Sequence, residues 1–276
     1  ELAQVNLPAG TRLWVYGSTG EAKAFDLRRL RSDGSLVSPV IEADRIHLEV
    51  ELPEGPLAAG QGLQVRQVRE LVQSRGAALA AVAAPTGDAC LHNAECFDAG
   101  DFPGIEAARD GVFQFFFTSG GSDYVCSGGL LADNVPATLV PWVLTAHHCI
   151  GTQDEAESID AVFFYRYDDC AGNSPSYSSS VFGADLVVTS DDTDVTLMRA
   201  IDPGEIPAGA HYLSWTSIRP PGATVLHRIS HPVRDSDSAL LPQQYSKHRL
   251  DETPEFVCDG ITVPNYLHTV NLDGTG

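Results

Sequence analysis

Positive charge is scarce in this sequence. Of 276 residues only 17 are Lys or Arg, against 37 Asp or Glu, and the formal charge is −20. Such a surface repels phosphate backbones and anionic lipid, which excludes nucleic acid and membrane surfaces as partners. Lysine is the rarest cation, present only at Lys23 and Lys247. That scarcity fits codon bias in an alanine-rich chain as well as protection from self-cleavage, so it decides nothing. No apolar run approaches the roughly 18 residues of a membrane-crossing helix. Long segments of 3.6-residue apolar period are missing too, which argues against an α/β fold. The chain opens at Glu1, has Met198 as its only methionine, and shows no signal peptide. It reads as a processed protein or a piece of a longer one.

Apolar residues make up 43% of the chain, enough to build a core. Residues 1–73 read as a small β-rich domain. Thr11–Tyr16 is a short apolar run closed by the turn Gly17-Ser18-Thr19-Gly20. Arg45–Leu52 alternates, with Ile46, Leu48, Val50 and Leu52 on one face and Arg45, His47, Glu49 and Glu51 on the other. That is the period of a strand with one buried and one wet face, and His47 on the wet face reads as solvated. Leu63–Val68 begins in the same way. Residues 74–89 are small, alanine-rich and nearly uncharged, and read as a linker rather than a helix with a packing face.

All six cysteines follow that linker. An even number in an acidic, loop-rich chain predicts disulfides and an oxidising compartment, with the pairing left open. From residue 90 onward β-type runs recur: Val112–Thr118, Val140–Thr145, Ala161–Tyr167, Asp185–Thr189, Val195–Met198 and Thr224–Ile229. Clusters of Gly, Ser, Asp and Pro separate them, which predicts an all-β antiparallel barrel or sandwich.

Three segments carry chemistry: Cys126-Ser127-Gly128-Gly129-Leu130-Leu131, Trp142-Val143-Leu144-Thr145-Ala146-His147-His148-Cys149, and Asp194-Val195-Thr196-Leu197-Met198. A serine hydroxyl needs a base to take its proton during attack, and an imidazole serves when one nitrogen is free and the other held. A buried carboxylate does the holding. Asp185, Asp191 and Asp192 compete with Asp194 for that place. Only Asp194 runs directly into an apolar strand, where a carboxylate needs a hydrogen-bonding partner.

Together the three segments resemble the chymotrypsin-like serine proteases. The doubled histidine, and Cys90-Leu-His-Asn-Ala-Glu-Cys96 ahead of it, are most similar to the bacterial lysyl endopeptidases. The resemblance covers roughly residues 90–276 and implies an antiparallel double β-barrel, C-terminally incomplete, preceded by the small domain. It implies a secreted or periplasmic endopeptidase acting on polypeptides after a basic residue, with no metal or organic cofactor. By position it makes His148 the base, with His147 in the variable place, and Asp194 the orienting carboxylate. A zinc site of His147, His148 and Cys149 is the rival reading. Adjacent side chains diverge too far to chelate one ion well, and no His-Glu-x-x-His or Cys-x-x-Cys spacing occurs.

The resemblance also implies disulfides Cys126–Cys149 and Cys96–Cys170. The first would close a loop worth about 3 kcal/mol and pin the base. Cys90 and Cys258 either bridge each other or have partners elsewhere. His231-Pro232 and Trp215 resemble segments of the far half of that fold, although ordinary loop and core packing explains them better. The family carries its nucleophile in Gly-x-Ser-Gly, and no such motif follows Asp194. Ser214, Ser217, Ser230, Ser236, Ser238 and Ser246 all lie outside a glycine elbow. The nucleophile, the oxyanion donors and the specificity pocket are therefore expected beyond Gly276, and the chain alone is expected to be inactive.

Overall fold

The computed structural model describes residues 1–18, 22–41, 43–53, 55–68, 92–135, 138–172, 175–181, 183–234, 239–251, 257–258, 261–262 and 269–272. The proposed linker and Cys90 fall outside them, as does the question of a Cys90–Cys258 bridge.

The N-terminal unit contains β1 (Leu2–Asn6), β2 (Arg12–Gly17), β3 (Lys23–Asp26), β4 (Ile46–Glu51) and β5 (Gly62–Val65). They form a three-stranded sheet in the order β3-β2-β4 and a separate β1-β5 pair. Alternate residues Leu13 and Val15 of β2 point inward with Leu2, Val5, Phe25 and Leu36. The alternation of β4 is only partly realised. Leu48 and Val50 are half-buried against this core, but Ile46 is 49% exposed at the strand end, where no second layer covers it. Val65 and Val68 are exposed as well, and β5 stops at Val65. His47 lies exposed, its ring stacked on Tyr16 with centroids 5.2 Å apart.

The second unit opens with β6 (His92–Asn93) and the short helix α1 (Ile105–Gly111). Then come β7 (Val112–Ser119), β8 (Ser122–Leu131), β9 (Trp142–Thr145) and helix α2 (Gln153–Glu157). They are followed by β10 (Asp160–Tyr167), β11 (Pro175–Val181), β12 (Ala184–Ser190) and β13 (Val195–Ala200). The seven strands make one sheet in the order β11-β10-β7-β8-β9-β13-β12. Its core holds Phe113, Phe115 and Phe117 of β7, with Leu130, Val143, Ile150, Phe163 and Met198 from neighbouring elements. Burial of several large side chains at about 2 kcal/mol each outweighs the weak intrinsic stability of separate hairpins.

Beyond β13 lie β14 (Val225–Ser230), β15 (Val233–Arg234), β16 (Ala239–Leu240), β17 (Gln244–Leu250), β18 (Val257–Cys258), β19 (Ile261–Thr262) and β20 (Thr269–Asn271). β14, β17 and β20 pair in that order and β6 joins β17, so the head of the unit is stitched to its far half. The fold is all-β and antiparallel as the sequence predicts, but the sheets are not closed into barrels. The strand order begins at β11 and ends at β12 without pairing the two edges. Among the described residues no helix is long and apolar enough to cross a membrane.

The two units touch through a turn after β3. Arg29 is nearly buried and pairs with Glu205 at 2.9 Å, while Arg28 reaches Asp202 at 3.1 Å. Gly183 leaves room for the Arg29 stem, since a Cβ there would meet its Nε at 3.2 Å.

Candidate active site

The site lies where β8, β9 and β13 run side by side. The β9–β13 register sets Thr145 opposite Thr196. The chain leaving β9 therefore reaches His148 at the same end of the sheet where the chain entering β13 carries Asp194. Thr145 donates its hydroxyl to the Ser127 carbonyl at 3.0 Å, tying β9 to β8 below this end.

Asp194 grips His148 with both carboxylate oxygens. The backbone N–H of His148 donates to Oδ1 at 2.8 Å, and its ring Nδ1 lies 2.8 Å from Oδ2. A carboxylate only accepts, so Nδ1 carries a proton, and Nε2 is the ring nitrogen left outside this pair. The His148 side chain is 72% exposed and that of Asp194 26%. Burial pulls the Asp194 carboxyl upward, but the backbone and ring bonds from His148 outweigh it and hold it below its usual range. Asp194 adopts φ 48°, a left-handed conformation that aspartate tolerates better than most residues.

The competitors lie apart. Asp185 pairs with Arg199 at 2.8 Å, and Asp191 faces the ring of His147, not His148. His147 turns away from its neighbour, with Nδ1 2.7 Å from Thr189 Oγ1. Cys126 and Cys149 are joined by a disulfide that ties the His148 turn to β8, and Cys96 is joined to Cys170. The ligand atoms of Cys126, His148 and Cys149 lie within 4.8 Å of one another. With both sulfurs in a disulfide no thiolate is offered, so this cluster is not a cation site.

His231 and Trp215 differ in their surroundings. His231 is buried against Tyr165, ring centroids 5.9 Å apart, and burial pushes its imidazole down to about 4. Its backbone N–H donates to Ser127 Oγ, linking β14 to β8. Trp215 lies exposed and donates Nε1–H to the Ala132 carbonyl. Sequence reasoning missed Ser127, Thr189 and Thr196, because a polar residue inside a strand carries no mark of its partner before the register is known.

The family described as lysyl endopeptidase, C-terminal domain, matches residues 85–253. The lysyl endopeptidase of Pseudomonas aeruginosa is 28% identical over 287 residues, covering 98% of this chain and 61% of its own length. The chain thus spans about three-fifths of that relative. Two solved structures were also compared. The active form of the Rv3671c protease from M. tuberculosis has 14% identity and a TM-score of 0.35, with 63% of this chain and 62% of that one covered. The thermostable serine protease AL20, from an extremophilic microorganism, has 15% identity and the same TM-score, covering 62% and 81%. Scores so low carry no argument. The family match, over more than half of the residues, does: this chain belongs to the lysyl endopeptidase C-terminal domain family.

Proposed function

We propose that the chain forms part of a secreted or periplasmic serine endopeptidase, with His148 as general base and acid and Asp194 as its orienting group. The observation that carries this reading is the two-point bond between them, which leaves Nε2 free and facing solvent. In the reaction Nε2 takes the proton of a serine hydroxyl as its oxygen bonds to the scissile carbonyl carbon. The protonated imidazole then gives that proton to the leaving amine as the C–N bond breaks, and water hydrolyses the acyl-enzyme by the same route. The Asp194 carboxylate stabilises the imidazolium between these steps.

The serine belongs to sequence following Gly276, a reading supported by the greater length of the Pseudomonas relative and the absence of a glycine elbow after Asp194. The 276 residues alone are then inert, since loss of the nucleophile costs on the order of a millionfold. Cleavage after lysine or another basic residue is supported by the name of the relative and the acidic surface. Residues 1–73 act as a prodomain or accessory domain and Pro85–Ala89, at the end of the linker, as the processing region, the whole being a zymogen. Two disulfides favour the oxidising compartment.

The test is to express the chain together with the sequence that follows it in its gene. A serine elbow soon after Gly276, hydrolysis of a lysyl peptide, and its loss in His148→Ala support the proposal. The absence of a glycine elbow after Asp194 is compatible with a second reading, a pseudoprotease whose fold serves as a secreted binding or scaffold module. An intact reading frame with no such serine would establish that reading instead.

A further inference from the structure

The ring of His147 is engaged in a chain of bonds that the reaction above does not use. Its Nδ1 lies 2.7 Å from Thr189 Oγ1, which meets Thr196 Oγ1, and Thr196 is bonded to the Ile150 carbonyl at 2.6 Å. Donor counting fixes every proton. A carbonyl only accepts, so the fully buried Thr196 donates to Ile150. Thr196 has then spent its hydrogen and accepts from Thr189, and Thr189, having spent its own, accepts from His147. Nδ1 of His147 must carry the proton in either charge state.

Both ends of this chain, His147 and Ile150, lie on the loop that carries His148, and its middle, Thr189 and Thr196, lies on the hairpin that carries Asp194. Residues 189 and 196 pair across the β12–β13 hairpin, and the turn between them, closed by the Asp194 N–H on the Asp191 carbonyl, places Asp194 at φ 48°. Residues 147 and 150 flank His148 and Cys149. Asp191 of the same turn faces His147 Nε2 at 3.7 Å. Gly151 leaves room for the ring, because a Cβ there would stand 3.1 Å from its Cε1.

We propose that His147 is a positioning residue: through Thr189 and Thr196 it fastens the turn that carries Asp194 to the loop that carries His148, and so sets the distance between the two. The inference rests on the reading of His148 and Asp194 as a working pair.

The experiment uses the 276-residue chain and amide hydrogen exchange at the His148 N–H, which donates to Asp194 Oδ1. His147→Ala and His147→Gln are expected to speed that exchange about tenfold while the Phe113–Phe117 amides stay protected. His147→Asn places an amide N–H where Nδ1–H stood and is expected to restore protection. Thr189→Val, which removes the ring's hydrogen-bond partner on the hairpin, is expected to reproduce the loss should His147→Ala not fold. Unchanged His148 protection in both His147→Ala and Thr189→Val, or no recovery in His147→Asn, overturns the proposal. Because this readout needs no hydrolysis, an intact coupling here together with a serine-bearing longer protein that cleaves nothing counts against the catalytic reading and not against the positioning role.

Discussion

His148 and Asp194 are joined at two points, backbone N–H to Oδ1 and ring Nδ1 to Oδ2, each at 2.8 Å. One bond fixes where the carboxylate sits and the other fixes the tautomer. An imidazole held in this way rotates little about its outer bond, and its free nitrogen is presented in one direction.

Asp194→Asn keeps the shape and reverses the hydrogen-bonding sense, offering an amide N–H where Nδ1–H needs an acceptor. In the serine-bearing protein, turnover is expected to fall by about 10⁴-fold with little change in KM. Steady-state kinetics on a lysyl substrate measure it; a loss under tenfold would show that Asp194 does not orient the base.

Glu205 sets a pH dependence outside the site. Burial pushes its carboxyl up to about 7 against the pull of Arg29, whereas an unfolded glutamate titrates near about 4.3. The folded chain therefore keeps a proton that the unfolded chain has lost between those values. This group's contribution to stability is full at the acid end of the window and lost as pH rises through about 7. Urea unfolding is expected to give higher stability at pH 5 than at pH 8, and Glu205→Gln to flatten the slope. The depressed carboxyls Asp26, Glu155 and Asp194 act in the opposite sense, losing their contribution as pH falls through their low folded values. Their window lies below that of Glu205.

Removing the Cys126–Cys149 bridge as Cys126→Ala with Cys149→Ala leaves no stray thiol. The expected loss is about 3 kcal/mol, read from the denaturation midpoint. Cys149 is buried in the large core, so part of the loss is packing and remains under reducing conditions.

Gly111 sits where α1 runs into β7, and a Cβ there would lie 2.6 Å from Leu213 Cγ and 2.8 Å from the His211 carbonyl oxygen. Gly111→Ala is expected to cost about 1–3 kcal/mol through overpacking against backbone. Gly62→Ala, which meets nothing within 4 Å, serves as the control and is expected to stay within about 0.5 kcal/mol. Paired urea titrations decide it; equal midpoints in the two variants would contradict the packing argument.

Strands β7, β9, β10, β12, β13 and β14 were legible because alternation and turn residues are local signals, whereas the serine-rich β11 was not. Phe113, Phe115 and Phe117 declare one face of β7 from their spacing alone. The two-residue period of β4 was legible too, yet Ile46 is exposed, since alternation marks a face and not what covers it. The double barrel was expected from resemblance, and the sheet instead ends open at β11 and β12. Closure depends on pairing between edges far apart in sequence, which no local pattern encodes.

By itself the sequence determined the chemistry available: a histidine before a cysteine, an aspartate opening an apolar strand, and six cysteines confined to one part of the chain. The reason is that nucleophile activation needs particular residue types, and types are visible without coordinates. Only the tertiary structure decided which atoms meet. The Thr145–Thr196 register brings Asp194 to His148 and leaves Asp185 and Asp191 elsewhere. It also binds His147 into a chain of hydroxyls and sets Arg29 against Glu205. Those contacts join residues from 7 to 176 positions apart, and they exist only because hydrogen-bonded strands have a fixed spacing and handed twist.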